Sequence, residues 1–150
     1  GHMEVEQLLA AQTGFDENSA VATAAEYGDV KFLKKLIAAK AALDTRNAEG
    51  RTPLMLALYN GLIEEMLVLL SAGADVDACD EEGSTVLAMA ASGGLVDIVK
   101  VLIRAKASLD IQNRHGETAL IAAATRGHAN VIKILLAAGA NPNARSNQWR

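Results

Sequence analysis

The sequence predicts an all-α fold, a solenoid of stacked antiparallel helix pairs separated by hairpin-like loops. Three observations carry this. Distinct markers recur at a fixed spacing of 33 residues, which is how repeat architectures declare themselves. The 150 residues include 29 Ala and 19 Leu but only 3% aromatics, so the core is aliphatic and suits closely packed helices. Within each period the apolar residues fall on one helical face.

The period shows in several residue types at once. Gly28, Gly61, Gly94 and Gly127 keep it, as do Gly50, Gly83 and Gly116. Leu36-Ile37, Leu69-Leu70, Leu102-Ile103 and Leu135-Leu136 keep it too, and so do the segments beginning at Ala41, Ala74, Ala107 and Ala140. The units run 14–46, which is degenerate at its start, then 47–79, 80–112 and 113–145.

Each unit opens with a polar turn, Asn47 to Gly50, Asp80 to Gly83 and Asn113 to Gly116. Asn and Asp start turns, and Gly accepts a positive φ. Thr52, Thr85 and Thr118, with Ser19 in the same place, then offer a hydroxyl to the orphan amides of a helix start. Pro53 suits the first helical turn. The first helix ends at the glycine that follows. Its Ala-Ala pairs (Ala24-Ala25, Ala90-Ala91, Ala123-Ala124) let neighbouring units approach closely. The second helix places Ile63, Met66, Leu67 and Leu70 at i, i+3, i+4, i+7. One such pair cannot bury its own apolar face, so stacking is required.

At these residues the chain resembles the ankyrin repeat family. Asn47 through Leu54 (Asn-Ala-Glu-Gly-Arg-Thr-Pro-Leu), then Ala57, Gly61, Leu69-Leu70 and Gly73-Ala74-Asp75, are close to the family pattern. The match spans residues 18 to 145 or so. The resemblance implies an ankyrin repeat solenoid of four repeats, with a finger-like loop on each. It also implies the family's usual role, binding another protein or a peptide. Two departures stand out. The family's frequent His after Thr-Pro-Leu is replaced by Met55, Ala88 and Ile121. The Gly that ends the second helix, present as Gly73 and Gly139, is replaced by Lys40 and Lys106. A left-handed backbone there costs each Lys about 1 kcal/mol relative to Gly.

The ends are expected to differ from the middle. Gly1-His2-Met3 reads as a tag remnant. Residues 4–13 carry Val5, Leu8 and Leu9 on one face, as a capping helix or half repeat would. The fourth unit lacks the polar outer face of a terminal repeat, which leaves self-association through that end open. Residues 146–150 begin a fifth period, or a tail in which Trp149 folds back. A cut from a longer protein is the favoured reading.

Composition removes several functions. Net charge is −4 and no basic stripe exists, so nucleic acid is not an expected partner. Apolar residues make up 51%, yet no apolar run is long enough for membrane insertion. The single cysteine, Cys79, excludes an internal disulfide and a Cys-rich zinc site. It suits a reducing compartment. With no secretory signal at Glu4-Val5-Glu6, an intracellular, cytoplasmic setting is expected. His115 and His128 have no metal constellation around them, and no nucleophile–base set or phosphate-binding loop is present. The expectation is therefore no enzyme, no catalytic residue, no metal and no cofactor.

The resemblance places recognition at the loop tips and on the inner face of the first helices. At the loops the matching positions are Arg46, Ala48, Glu49 and Arg51; Cys79, Glu81, Glu82 and Ser84; and Gln112, Arg114, His115 and Glu117. On the first helices they are Glu26 and Tyr27, Tyr59 and Asn60, Ser92 and Gly93, Thr125 and Arg126. Tyr27 and Tyr59 are the only tyrosines, and Tyr buries area at small cost in rotamer entropy. The tips divide by charge, acidic at Asp80-Glu81-Glu82 and basic at Arg114-His115, with Arg126 further in. A partner with complementary charge order fits such a surface. The competing role is a spacer or assembly segment of a larger multi-repeat protein.

Overall fold

The computed structural model describes residues 17–145. The N-terminal segment expected to cap the first unit, and Trp149, lie outside them. Among the described residues the chain forms eight α-helices. In order these are α1 (Glu17–Tyr27), α2 (Val30–Ala38), α3 (Pro53–Tyr59), α4 (Ile63–Ser71), α5 (Val86–Ser92), α6 (Val96–Arg104), α7 (Ala119–Thr125) and α8 (Ala129–Ala137). There is no strand among them, only an isolated antiparallel bridge between Cys79 and Thr85.

Helices of seven to eleven residues are too short to persist alone in water, so capping and packing must hold them. Thr52, Thr85 and Thr118 stand at the N-caps of α3, α5 and α7. Their hydroxyls accept the amides of Met55, Ala88 and Ile121 at 3.4, 3.2 and 3.3 Å. All three are buried, and such a cap is worth about 1 kcal/mol. Met55 does more than fill the place of the family's His. Its sulfur, a weak acceptor, takes the Thr52 amide at 3.5 Å and completes a reciprocal cap. Ser19 departs from the expected pattern: α1 starts at Glu17, so Ser19 lies inside the helix, where its carbonyl accepts the Thr23 hydroxyl. Asp29 caps α2 through the Phe32 amide at 3.0 Å.

Each second helix closes with one pair of backbone bonds. After α4 the Gly73 amide reaches Leu70 and the Ala74 amide reaches Leu69, the two bonds of a Schellman end. The same pair forms after α2 and α6, with lysine in the left-handed position: Lys40 at φ 62° and Lys106 at φ 69°. The bond pattern holds the backbone there despite the β-carbon.

The chain divides into two compact units, Gly1–Asp75 and Val76–Arg150. In the first, α1 packs on α3 and α2 on α4, while each first helix also packs on its own second helix. The core holds Val21, Ala24, Ala25, Leu33, Met55, Met66 and Leu69. In the second unit α5 packs on α7 and α6 on α8, around Leu87, Ala90, Ala91, Val99, Leu102, Ala123, Val131 and Leu135. The buried alanines of the first helices give the close approach that their small size permits. No described helix is long and apolar enough to cross a membrane.

Candidate interaction surface

The loops repeat one turn three times. The Asn47 side-chain oxygen accepts the amides of Glu49 (2.9 Å) and Arg51 (3.0 Å). Asp80 does the same for Glu82 and Ser84, and Asn113 for His115 and Glu117. Backbone bonds from Gly50 to Asn47, Gly83 to Asp80 and Gly116 to Asn113 close each turn. A side chain thus replaces a missing backbone partner, and the tips project without a sheet to hold them.

In the first unit, α1, the segment before α3 and α3 itself line a groove of about 200 Å³. Ser19, Ala22, Thr23 and Glu26 line one side, Thr45, Arg46, Asn47 and Leu56 the other. Arg46 is held by its bond to the Gly50 carbonyl at 2.8 Å. Tyr27 and Tyr59, at the C-terminal ends of α1 and α3, are 69% and 50% exposed. The Arg51 guanidinium lies 4.4 Å from the centre of the Tyr59 ring and 3.7 Å from the Glu49 carboxylate. Stacking and ion pairing together fix Arg51 above the ring. Asn60 donates to the Leu56 carbonyl, so its amide trims the end of α3.

In the second unit the tip charges meet each other. Arg114 donates from its side chain to the Glu81 carbonyl at 2.9 Å, and its backbone amide bonds the Glu82 carbonyl. The Glu82 carboxylate lies 3.7 Å from Arg114 and 3.6 Å from His115. Asn113 bridges Ser84 and Glu117. The acidic tip and the basic tip, separate in the sequence reading, are partners in space. Ser92 offers its carbonyl to His128 at 2.9 Å, while Thr125 and Arg126 stand exposed at the end of α7.

None of the sixteen sequence-selected residues is buried. Glu26, Tyr27, Arg46, Glu49, Arg51, Tyr59 and Asn60 belong to the first unit; Glu81, Glu82, Ser84, Ser92, Arg114, His115, Glu117, Thr125 and Arg126 belong to the second. Sequence reasoning missed Thr23 and Thr45, whose only signal is a polar residue beside the groove in register with the loops. Cys79 is half-buried, and its thiol donates to the Asp77 carbonyl at 3.5 Å. No cluster of metal-ligating side chains occurs among the described residues.

Comparison with known proteins agrees with this architecture. A family model described as ankyrin repeats (3 copies) matches residues 1–80 and again 63–146. No curated protein matches the chain. Turn, cap, helix pair and Schellman end recur in one order, and the family match covers nearly every residue that carries them: the chain belongs to the ankyrin repeat family.

Proposed function

We propose that the chain is a non-catalytic module that binds a partner protein or peptide through the inner face of its first helices and its loop tips. Ankyrin repeats generally serve protein–protein interaction. The observation that carries the reading is the pair of exposed tyrosines in the first unit. Tyr27 and Tyr59 stand exposed at the ends of α1 and α3, Arg51 lies over the Tyr59 ring, and the same unit holds the groove lined by Glu26 and Arg46. Large, rigid aromatic and guanidinium groups that need little ordering are what interface hot spots are made of. At about 200 Å³ the groove is small for a ligand pocket, and the groups around it form no acid–base or nucleophilic set.

The experiment is alanine substitution of Tyr27 and of Tyr59, measured against a ligand selected from a peptide display library for binding to the whole chain. Loss of affinity at either site supports the reading, and unchanged affinity at both removes it. The spacer reading draws on the second unit, where Arg114 and His115 both lie against the Glu82 carboxylate. Those tips then serve stacking of adjacent repeats, and Arg114→Ala would lower stability without touching affinity.

A further inference from the structure

The second helices of the first unit, α2 and α4, line an open apolar groove that the inner-face reading does not use. Its cavity is about 420 Å³. Ile37, Leu67, Val68 and Ala72 form the apolar lining, with Lys34 on one rim and Glu64 on the other. The repeat register shows what is unusual about it. Leu67 shares its place with Lys34, Lys100 and Lys133. Three repeats keep a solvated charge at this position, and one holds a leucine that is 45% exposed. Ile63, one turn earlier on the same face, is 40% exposed. Such exposure forgoes stabilisation that burial against a partner would recover.

The charge beside the groove is divided, basic along α2 and acidic at Glu64 on the α4 rim. Lys31 and Lys34 lie three residues apart on one edge of α2 and are exposed, and α2 carries no acidic residue. This edge is basic in a chain whose net charge is −4. A trough between two packed helices accepts the ridge of a third. We propose that this groove docks an amphipathic helix of a partner protein, with its apolar stripe over Ile37, Leu67 and Val68 and its acidic flank facing Lys31 and Lys34. The nine residues of α2 and of α4 span roughly 13 Å, enough to seat two to three turns. The apolar contact supplies affinity, and the lysine edge supplies orientation and on-rate.

The test uses two fluorescein-labelled synthetic helices, each with Leu at i, i+4, i+7 and i+11. One carries Glu along a flank, the other Lys. Fluorescence anisotropy against the whole chain reads their affinities. The Glu helix should bind about tenfold more tightly than the Lys helix, and less tightly as salt rises. Leu67→Lys restores the residue of the other repeats at an exposed site, so it preserves the fold. It should weaken binding about tenfold, Lys34→Glu should reverse the preference, and Tyr59→Ala should change neither. Absence of binding by the Glu helix, equal affinity for both helices, or binding indifferent to Leu67→Lys would overturn the proposal. Light scattering that shows a dimer abolished by Leu67→Lys would assign the groove to a second copy and overturn it equally.

Discussion

Asp77 holds Ser108 with both carboxylate oxygens: one accepts the backbone amide and the other the hydroxyl, each at 2.8 Å. Asp44 accepts the Asp75 amide at 2.9 Å and Asp110 the Asn141 amide at 2.8 Å. In all three cases the donor lies 31 residues further on, directly after the buried alanine that follows a second helix. The bond ties the loop of one repeat to the exit of the next.

Asp77→Ala removes both bonds to Ser108. Hydrogen bonds to charged groups contribute about 1.5–3 kcal/mol; this exposed pair belongs at or below the lower limit, about 1 kcal/mol. The expected result is a lower melting temperature with fast exchange of the Ser108 amide. Unchanged protection of that amide would contradict the role given to Asp77.

Lys40→Gly and Lys106→Gly should each stabilise the chain. Both lysines have positive φ, which costs an L-residue about 1 kcal/mol that glycine does not incur. Thermal melting of each variant checks this, and a lower or unaltered midpoint for both would contradict it.

Glu65 occupies a core position. It is 4% exposed, and its register equivalents Phe32, Ile98 and Val131 are buried apolar residues. No hydrogen bond or ion pair forms from it among the described residues. Burying a polar group without a partner costs roughly 1–3 kcal/mol in proteins. Glu65→Val should therefore raise the denaturation midpoint, whereas a clear drop would show that the carboxylate has a compensating role.

Gly61 and Gly94 separate two costs. Their φ values are nearly equal, 67° and 68°, but a β-carbon on Gly61 meets nothing within 4 Å, while one on Gly94 comes within 2.6 Å of His128 Nδ1. Gly61→Ala should cost about 1 kcal/mol from backbone strain alone. Gly94→Ala should cost more, and His128→Ala in the same chain should recover the excess. Equal losses at the two glycines would show that the ring yields freely.

These contrasts show what a sequence discloses. Thr52, Thr85 and Thr118, the Asn/Asp-x-x-Gly turns and the left-handed lysines were legible because each is settled within a few residues by local backbone chemistry. The Asp77–Ser108 tie was not, since it depends on which loop lies beside which exit. The pairing of Glu82 with Arg114 and His115 was hidden for the same reason: tips read one unit at a time look like opposed patches, and stacked they contact each other. Ser19 misled because a matching period does not fix where a degenerate helix begins. For the surface, periodicity located Tyr27 and Tyr59 at helix ends, but Arg51 over the Tyr59 ring was not legible, since it depends on how the loop side chain folds back on the end of α3.

The most direct test of the account is the affinity of library-selected ligands for the whole chain and for its Tyr27→Ala and Tyr59→Ala variants. The inner-face reading predicts about a tenfold or greater loss at one tyrosine or both, with the melting temperature unchanged in Tyr27→Ala and lowered only slightly in Tyr59→Ala by loss of the Arg51 stack. Ligands that bind both variants as tightly as the parent chain would contradict it.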